Sequence, residues 1–593
     1  MNLDLDYDSL TAQLVTAPQN GSVTLRPDGS FTYEPDPGFT GQDSFTYQAS
    51  DGIDTSLVAT VWLDVIRPVV DIDVDSNNDG WIDPENDPQL GTDDPIEEDP
   101  PGKVILLNDD DDNANDLPDL QESGPMVDPE GNPVIDDDLV QARLSWDSLG
   151  LDLTGYELHL SADPALKLWS TPDKQAPVPQ SFLIGTDPVP ETIYLEGVGQ
   201  GEAWVGWTLL QPGGGPPVAE DQVRVTVVKL KVTAYRPQTE GPGYGRPFQK
   251  TPVPAAWLEK EGLGVGIRRN GDDDNGNGVP DFMITDVAVQ NENDLIELHV
   301  ETTVNPNIKY YIRRNPNAML NVWQHADKRA VILDNQPIHE RQIAFPADFT
   351  LWVEWVGPGA APARSWLELQ ARHAQTNQVL ASRKIFFYPF QSVVIAFGGF
   401  TEVPGDPPNP GFGIFNIAAN LYRLGYDVHM YPYSGVNLFG AGPAFDEVVS
   451  AINRRGVTSV AIFGYGWGGG STYLLANRIT TDPNNEIDDN SRFNISFTAY
   501  IDAILRPTIL PMRWRPLGSL FHHNQYQTNT FLPLPWPQPL NVPLNGAPVP
   551  ANNAPQNRSA LILGGAPVWH LNIDDHPVVR NSLQTALQQN TPR

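Results

Sequence analysis

The densest chemistry in the sequence is carboxylate and carboxamide oxygen at loop spacing. Asp75, Asn77 and Asp79 stand at alternate positions, followed by Gly80 and then Asp83. Oxygen ligands at that spacing, with a glycine for the sharp turn, suit a hard cation such as calcium. The twelfth position of this stretch is Asn86, so closure of the ligand shell falls to Glu85 or Asp87. A second stretch, from Asn108 to Asp119, offers Asp110, Asp112, Asn113, Asn115 and Asp119. It recurs from Asn270 to Asp281, offering Asp272, Asp274, Asn275, Asn277 and Asp281. Between Asp71 and Asp138 about two dozen acidic residues face only Lys103. Such a density is tolerated by bound cations or by solvent alone, so a disordered acidic linker competes with the calcium reading.

The first of these loops matches the opening half of an EF-hand-type loop and resembles the shorter loops of dockerin and thrombospondin type 3 modules. A different chemistry is suggested by SVAIFGYGWGGGSTYLLANRI, an apolar strand, a tight glycine-rich turn and a helix. Gly464, Gly468 and Gly469 supply the small residues that a strained, closely packed turn needs. This context resembles the G-x-S-x-G nucleophile elbow of α/β-hydrolases, and glycine, Gly466, stands where that family has its serine.

The resemblance implies the rest of a catalytic set in the chain order nucleophile, acid, base. Asp502, ending FNISFTAYID, is placed similarly to the acid of pancreatic-type lipases, and His570, in WHLNIDDHPVV, looks like the histidine segment of secreted serine hydrolases. Asp502 would orient His570, and His570 would be the general base for the missing hydroxyl. Backbone N–H groups of Trp467 and of the loop Gly398-Gly399-Phe400 would form the oxyanion hole. Simpler readings stay open: Asp502 as a strand-end turn residue, His570 as a packing histidine, and His576 as a rival base on a helix cap. Ser471 lies more than a helical turn beyond Gly466 and points away from the elbow. GWGGG lacks the Lys-Ser/Thr ending of a phosphate-binding loop. His522 and His523 receive no role, and the NQYQTNTF that follows them is expected in an excursion over the site.

The elements that must hold these residues fall into two kinds. Up to about Phe390 the chain reads as short period-two β runs between turn signals, the pattern of β-sandwiches. SVTLRPDGSFTYEPDPGFTGQDSFTYQASDG resembles the cadherin-like, immunoglobulin-like repeats of bacterial surface proteins, and against them the domain reads as truncated ahead of Met1. Both later acidic loops precede a β-rich stretch opening on an Asp-Leu step, Asp138-Leu139 and Asp294-Leu295, which implies an internal duplication. From Gln391 strands alternate with helices, implying βαβ units and a doubly wound, mainly parallel sheet. The expected order is a cadherin-like sandwich (1–68), an acidic calcium-binding linker (69–138), a sandwich (139–260), a second acidic loop (261–284), a second sandwich (285–390) and an α/β-hydrolase domain (391–593).

With 36 Lys+Arg against 75 Asp+Glu the net charge is -39, which disfavours nucleic acid and anionic membranes and favours multivalent cations. Absence of cysteine excludes disulfides and thiolate metal sites. No apolar run is long enough for a membrane helix. The sequence therefore reads as a secreted or cell-surface, calcium-binding multidomain protein carrying an esterase/lipase-type fold, catalytically silent with glycine at 466. Two alternatives remain: a working ester hydrolase inactivated by a Ser-to-Gly change, and an adhesive protein using the fold as a cleft for a surface or matrix ligand.

Overall fold

The computed structural model describes the chain outside residues 1–8, 38, 75–95, 98–103, 110–111, 114–118, 123, 129–130, 137, 214, 216, 237–250, 285–287, 291, 317–318, 334–338, 344–346, 357–363, 405–410, 490, 528–545, 550–557, 564–567, 569 and 571. It forms two compact units, one comprising Met1–Ile105, Ser123–Pro125 and Asp136–Val227, the other Leu106–Glu122, Met126–Ile135 and Val228–Arg593.

In the first unit the turn-punctuated N-terminal runs become an antiparallel sheet of Thr11–Thr16, Gly41–Ser50 and Ala59–Val65, with Gly41–Ser50 in the middle. Gly21–Leu25 and Phe31–Pro35 make a hairpin whose turn uses Gly29 at φ +86°. The buried carboxylate of Asp43 accepts the N–H groups of Gln19 and Asn20 and the hydroxyl of Tyr33, fastening hairpin to sheet. Two further sheets follow. One has the order Ser181–Leu183, Glu157–Ala162, Gly201–Leu210, Pro217–Val228, with Ile96–Glu97 added in parallel; the other runs Leu166–Trp169, Thr192–Gly197, Val140–Asp147, Val69–Val74.

The second unit repeats the strand order of those two sheets, with Val331–Leu333 and Arg269–Asn270 added to one of them. Glu340–Ile343, Ile308–Arg314, Ser365–His373 and Val379–Pro389 form one sheet, again with a parallel edge, Val265–Ile267. Leu320–Trp323, Asp348–Val356, Ile296–Thr302 and Leu230–Ala234 lie in the other. Each copy thus begins with a strand ahead of its acidic loop, Val69–Val74 or Leu230–Ala234. The copies meet at Val228, where the sequence pattern had suggested residue 260, because KLKVTAY reads as a continuation of the preceding strand yet pairs with Ile296–Thr302.

Buried polar groups repeat as well. Lys174 and Lys328, both fully buried and at positive φ, bond Glu196 at 2.8 Å and Glu354 at 2.6 Å. The same carboxylates accept the indole N–H groups of Trp169 and Trp323 at 2.7 and 3.0 Å. A buried lysine alone would lose its proton. For Lys174 burial pulls in that direction, but the charges of Asp136 and Glu196 outweigh it and hold the ammonium above its ordinary pKa.

Beyond Pro389 the chain builds a six-stranded, all-parallel sheet in the order Asp427–Tyr431, Ser392–Phe397, Ser459–Tyr465, Asn494–Ile501, Ser519–Gln527, Arg558–Leu563. Helices cover both faces, which is why the central strands are continuous apolar runs. Val394, Ala396, Ala461 and Phe463 pack toward helices Gly413–Arg423 and Pro577–Asn590. Their neighbours Val393, Ile395, Val460 and Ile462 pack with helix Pro443–Asn453 and with Leu475, Ala476 and Ile479 of helix Trp467–Thr481. The strand order reverses between Ser392–Phe397 and Ser459–Tyr465, and doubly wound sheets present their clefts at the carboxyl ends flanking such a switch.

One expectation is corrected. His522 and His523 with the NQYQ that follows them lie in the strand Ser519–Gln527, and not in an excursion. The segment reads as polar because its buried side chains bond neighbouring elements: His522 to Thr498, His523 to Ser582, Asn524 to the Ala547 carbonyl and Gln525 to that of Val579.

Candidate functional site

Ser459–Tyr465 and Trp467–Thr481 are joined by a single residue, Gly466, at φ 56° and ψ -120°. Its neighbours leave no room for side chains. A β-carbon on Gly464 would fall 2.2 Å from the Gly468 carbonyl oxygen, and one on Gly468 would lie 2.3 Å from that of Phe397. A β-carbon on Gly469 would meet that of Ala503 at 2.3 Å. Gly466 differs: a β-carbon there would find His570 Nε2 at 3.4 Å, ordinary van der Waals contact.

Asp502 follows the strand Asn494–Ile501, fully buried at φ 46°. Its Oδ2 receives His570 Nδ1 at 2.7 Å and the Gln527 amide at 3.2 Å, while Oδ1 accepts the backbone N–H groups of Gly546 and Gln527. An N–H at His570 Nδ1 leaves Nε2 as the acceptor, facing Gly466. The Tyr465 hydroxyl donates to the His570 carbonyl and fixes its backbone. His576 caps the helix Pro577–Asn590, its Nδ1 accepting Val578 N–H at 3.3 Å. Ser471 is buried, its hydroxyl bonded to the Tyr433 carbonyl and to Arg506.

Of the expected oxyanion donors, the Gly399 N–H is already engaged by Glu402 Oε2 at 2.5 Å. The N–H groups of Phe400 and of Trp467, the first residue of its helix, have no partner among the described residues. Glu402 was not singled out from the sequence. Burial, reinforced by the charge of Asp574, pushes its pKa up to about 9 directly behind the Gly399 turn. Burial raises Asp574 as well, to about 6. An isolated Glu in a loop gives no sign of this, since the signal is burial. The mouth is aromatic: the exposed Phe400 ring stands edge-on to Trp467 at 4.8 Å and stacks with Tyr433 at 5.8 Å.

Among the acidic loops, Asp75, Asn77, Asp79, Asp83, Asp110 and Asn115 lie outside the described residues. Asp119 is buried and its Oδ2 accepts Asp112 N–H at 3.0 Å, and the Asn113 side-chain amide donates to Glu122 at 3.0 Å. The later loop matches it, with Asp281 Oδ2 accepting Asp274 N–H at 2.8 Å. Asp272, Asp274 and Asp281 each bring a carboxylate oxygen within 4.8 Å of the others. Asn275 and Asn277 shape the same loop. Their side-chain oxygens accept the N–H groups of Asn277 and Val279 and close the turn.

Residues 2–64 match the bacterial Ig domain family. No curated protein matches the chain. Among solved structures, the protocadherin GammaB4 extracellular domain is similar at TM-score 0.16 and 12% identity, over 64% of this chain and 43% of that one. The D0-D1 domain of intimin gives TM-score 0.13 and 10% identity over 42% and 90%, and surface layer protein SbsC, domains 4–9, gives 0.14 and 11% over 66% and 40%. The chain spans less than half the length of the protocadherin and SbsC structures. It is thus a modular, mostly β chain with a bacterial Ig-like domain at its N-terminus. No helix among the described residues is long and apolar enough to cross a membrane.

Proposed function

We propose that residues 391–593 are an α/β-hydrolase domain of esterase/lipase type, carried by a modular secreted or cell-surface protein and silent because position 466 is glycine. The observation that carries this reading is the line Asp502, His570, Gly466: a buried carboxylate 2.7 Å from one imidazole nitrogen, and the other nitrogen facing the elbow where a side chain would fit. With a serine at 466, His570 would take the hydroxyl proton as oxygen attacks an ester carbonyl. The same proton would pass to the departing alkoxide, and water would then release the acid by the reverse order of steps. Trp467 and Phe400 N–H groups would hold the oxyanion. The exposed Phe400 ring and the half-buried Trp467 ring favour an apolar acyl group, and the Ig-like domain supports a surface location.

The test is hydrolysis of short-chain nitrophenyl esters by the full chain and by Gly466→Ser. Turnover gained on the order of 10³-fold or more in the variant supports the reading, given what a complete triad contributes. Silence in both supports a ligand cleft instead.

A further inference from the structure

The loop 270–281 holds a carboxylate that the protein does not satisfy. Asp281 is fully buried and its Oδ1 has no hydrogen-bond partner; Asp272, half-buried beside it, has a buried Oδ1 that also lacks one. A buried, unpaired carboxylate oxygen is costly, and most such atoms in proteins meet a donor or an ion. The other oxygen of Asp281 is committed to Asp274 N–H, and its carbonyl accepts Lys328 Nζ. The Asp281 N–H donates to the Asp272 carbonyl at 2.7 Å, so the backbone already brings the ends of the loop together. Asp274 is aimed by Asn293, which donates from its backbone at 3.1 Å and its side chain at 3.3 Å.

The loop lies against the parallel-sheet part of its own unit. A β-carbon on Gly271 would collide with the Arg454 carbonyl oxygen at 1.9 Å, and one on Gly456 would meet Arg269 Nη1 at 2.6 Å. Arg268, just before the loop, bonds Asp427 at the head of the edge strand at 2.9 Å and pairs with Asp294 at 3.4 Å. Asp294, fully buried, also leaves Oδ2 without a partner.

We propose that Asp272, Asp274 and Asp281 bind one calcium ion, and that this ion clamps the loop between the antiparallel sheets and the parallel sheet of the second unit. Calcium fits three carboxylates with further carbonyl or water oxygens in a flexible shell, whereas magnesium demands tighter octahedral geometry. An ion drawing ligands from both ends of the loop orders the segment on which Arg268 and Gly271 touch the parallel-sheet layer.

The experiment titrates chelator-treated full chain with calcium chloride by calorimetry, with magnesium chloride as control, for wild type, Asp272→Asn and Asp281→Asn. Calcium bound per chain falls by one in both variants, while magnesium does not replace it at equal concentration. Hydrogen exchange then follows residues 268–281 and 453–457, which gain protection with calcium in wild type and not in the variants. If Asp281→Asn does not fold, the half-exposed Asp272→Asn decides. A wild type that takes up no calcium, or variants with unchanged stoichiometry, overturn the site. Calcium uptake without added protection at 453–457 overturns the clamp.

Discussion

His570 Nε2 lies 3.4 Å from the point where a β-carbon on Gly466 would sit, and its other nitrogen is held by Asp502 at 2.7 Å. Gly466→Ser should therefore place a hydroxyl in reach of the imidazole without collision. The cost is conformational, since φ 56° with ψ -120° is a region that side chains avoid, and about 1–3 kcal/mol of stability is lost. Esterase activity gained by Gly466→Ser should vanish on adding His570→Ala and survive adding His576→Ala, because His576 is occupied as a helix cap. Equal losses from the two additions would sink this assignment.

Glycines around the elbow should separate into two kinds. Gly468→Ala drives a methyl group to 2.3 Å from one carbonyl oxygen and 2.5 Å from another, neither able to swing aside. We expect a loss of about 3 kcal/mol or more, the upper range for overpacking, or no folded protein. Gly276→Ala, at φ +70° but in open space, should cost only about 1 kcal/mol. Melting temperatures measured with calcium present compare the two, and a tolerated Gly468→Ala would contradict the tight turn.

Carboxyl titration gives a third prediction. An unfolded Glu402 loses its proton near pH 4.5, whereas the folded one, buried and next to Asp574, keeps it to about 9. The folded chain thus binds more protons across that interval, so this group makes stability fall as pH rises from about 4.5 to 9. Glu402→Gln keeps an acceptor for Gly399 N–H and has no charge to suppress. Its melting temperature relative to wild type should rise between pH 5 and pH 9, and a constant difference would show that the carboxyl pair does not titrate as described.

Much of this arrangement was legible in the sequence because it rests on local rules. The switch from period-two runs to strand-helix alternation marked the parallel sheet, and the spacing of Gly464, Gly466 and Gly468 marked the turn. What escaped depends on burial and long-range pairing. Glu402 and Asp574 are far apart in sequence and meet only in the fold. HHNQYQ looked like a surface segment because its partners, Thr498, Ser582 and Val579, come from other elements. The copy boundary was misplaced since nothing local tells which sheet the strand Leu230–Ala234 will join. One missed signal was readable: WSTPDK and WQHADK share Trp-x3-Asp-Lys, and both lysines are buried.

That shared motif yields the last prediction. Lys328 Nζ lies 2.6 Å from Glu354 Oε1, both side chains are excluded from solvent, and Glu354 also receives Asn270, Asn321 and Trp323 at 2.8, 3.1 and 3.0 Å. Replacing Lys328 with Met leaves that carboxylate buried with neutral donors only, and breaking such a pair costs about 3–5 kcal/mol. Adding Glu354→Gln removes the stranded charge while keeping an acceptor for the indole, so Lys328→Met/Glu354→Gln should recover most of the loss. A double-mutant cycle on the second unit's unfolding transition, followed by calorimetry, reads the coupling directly. In the first unit Lys174→Met removes the ammonium that the buried carboxylates of Asp136 and Glu196 share, leaving Lys167 at 3.8 Å from Glu196, and should cost a similar amount. Losses under about 1 kcal/mol at both positions would mean that the repeated lysines fill space without holding charge.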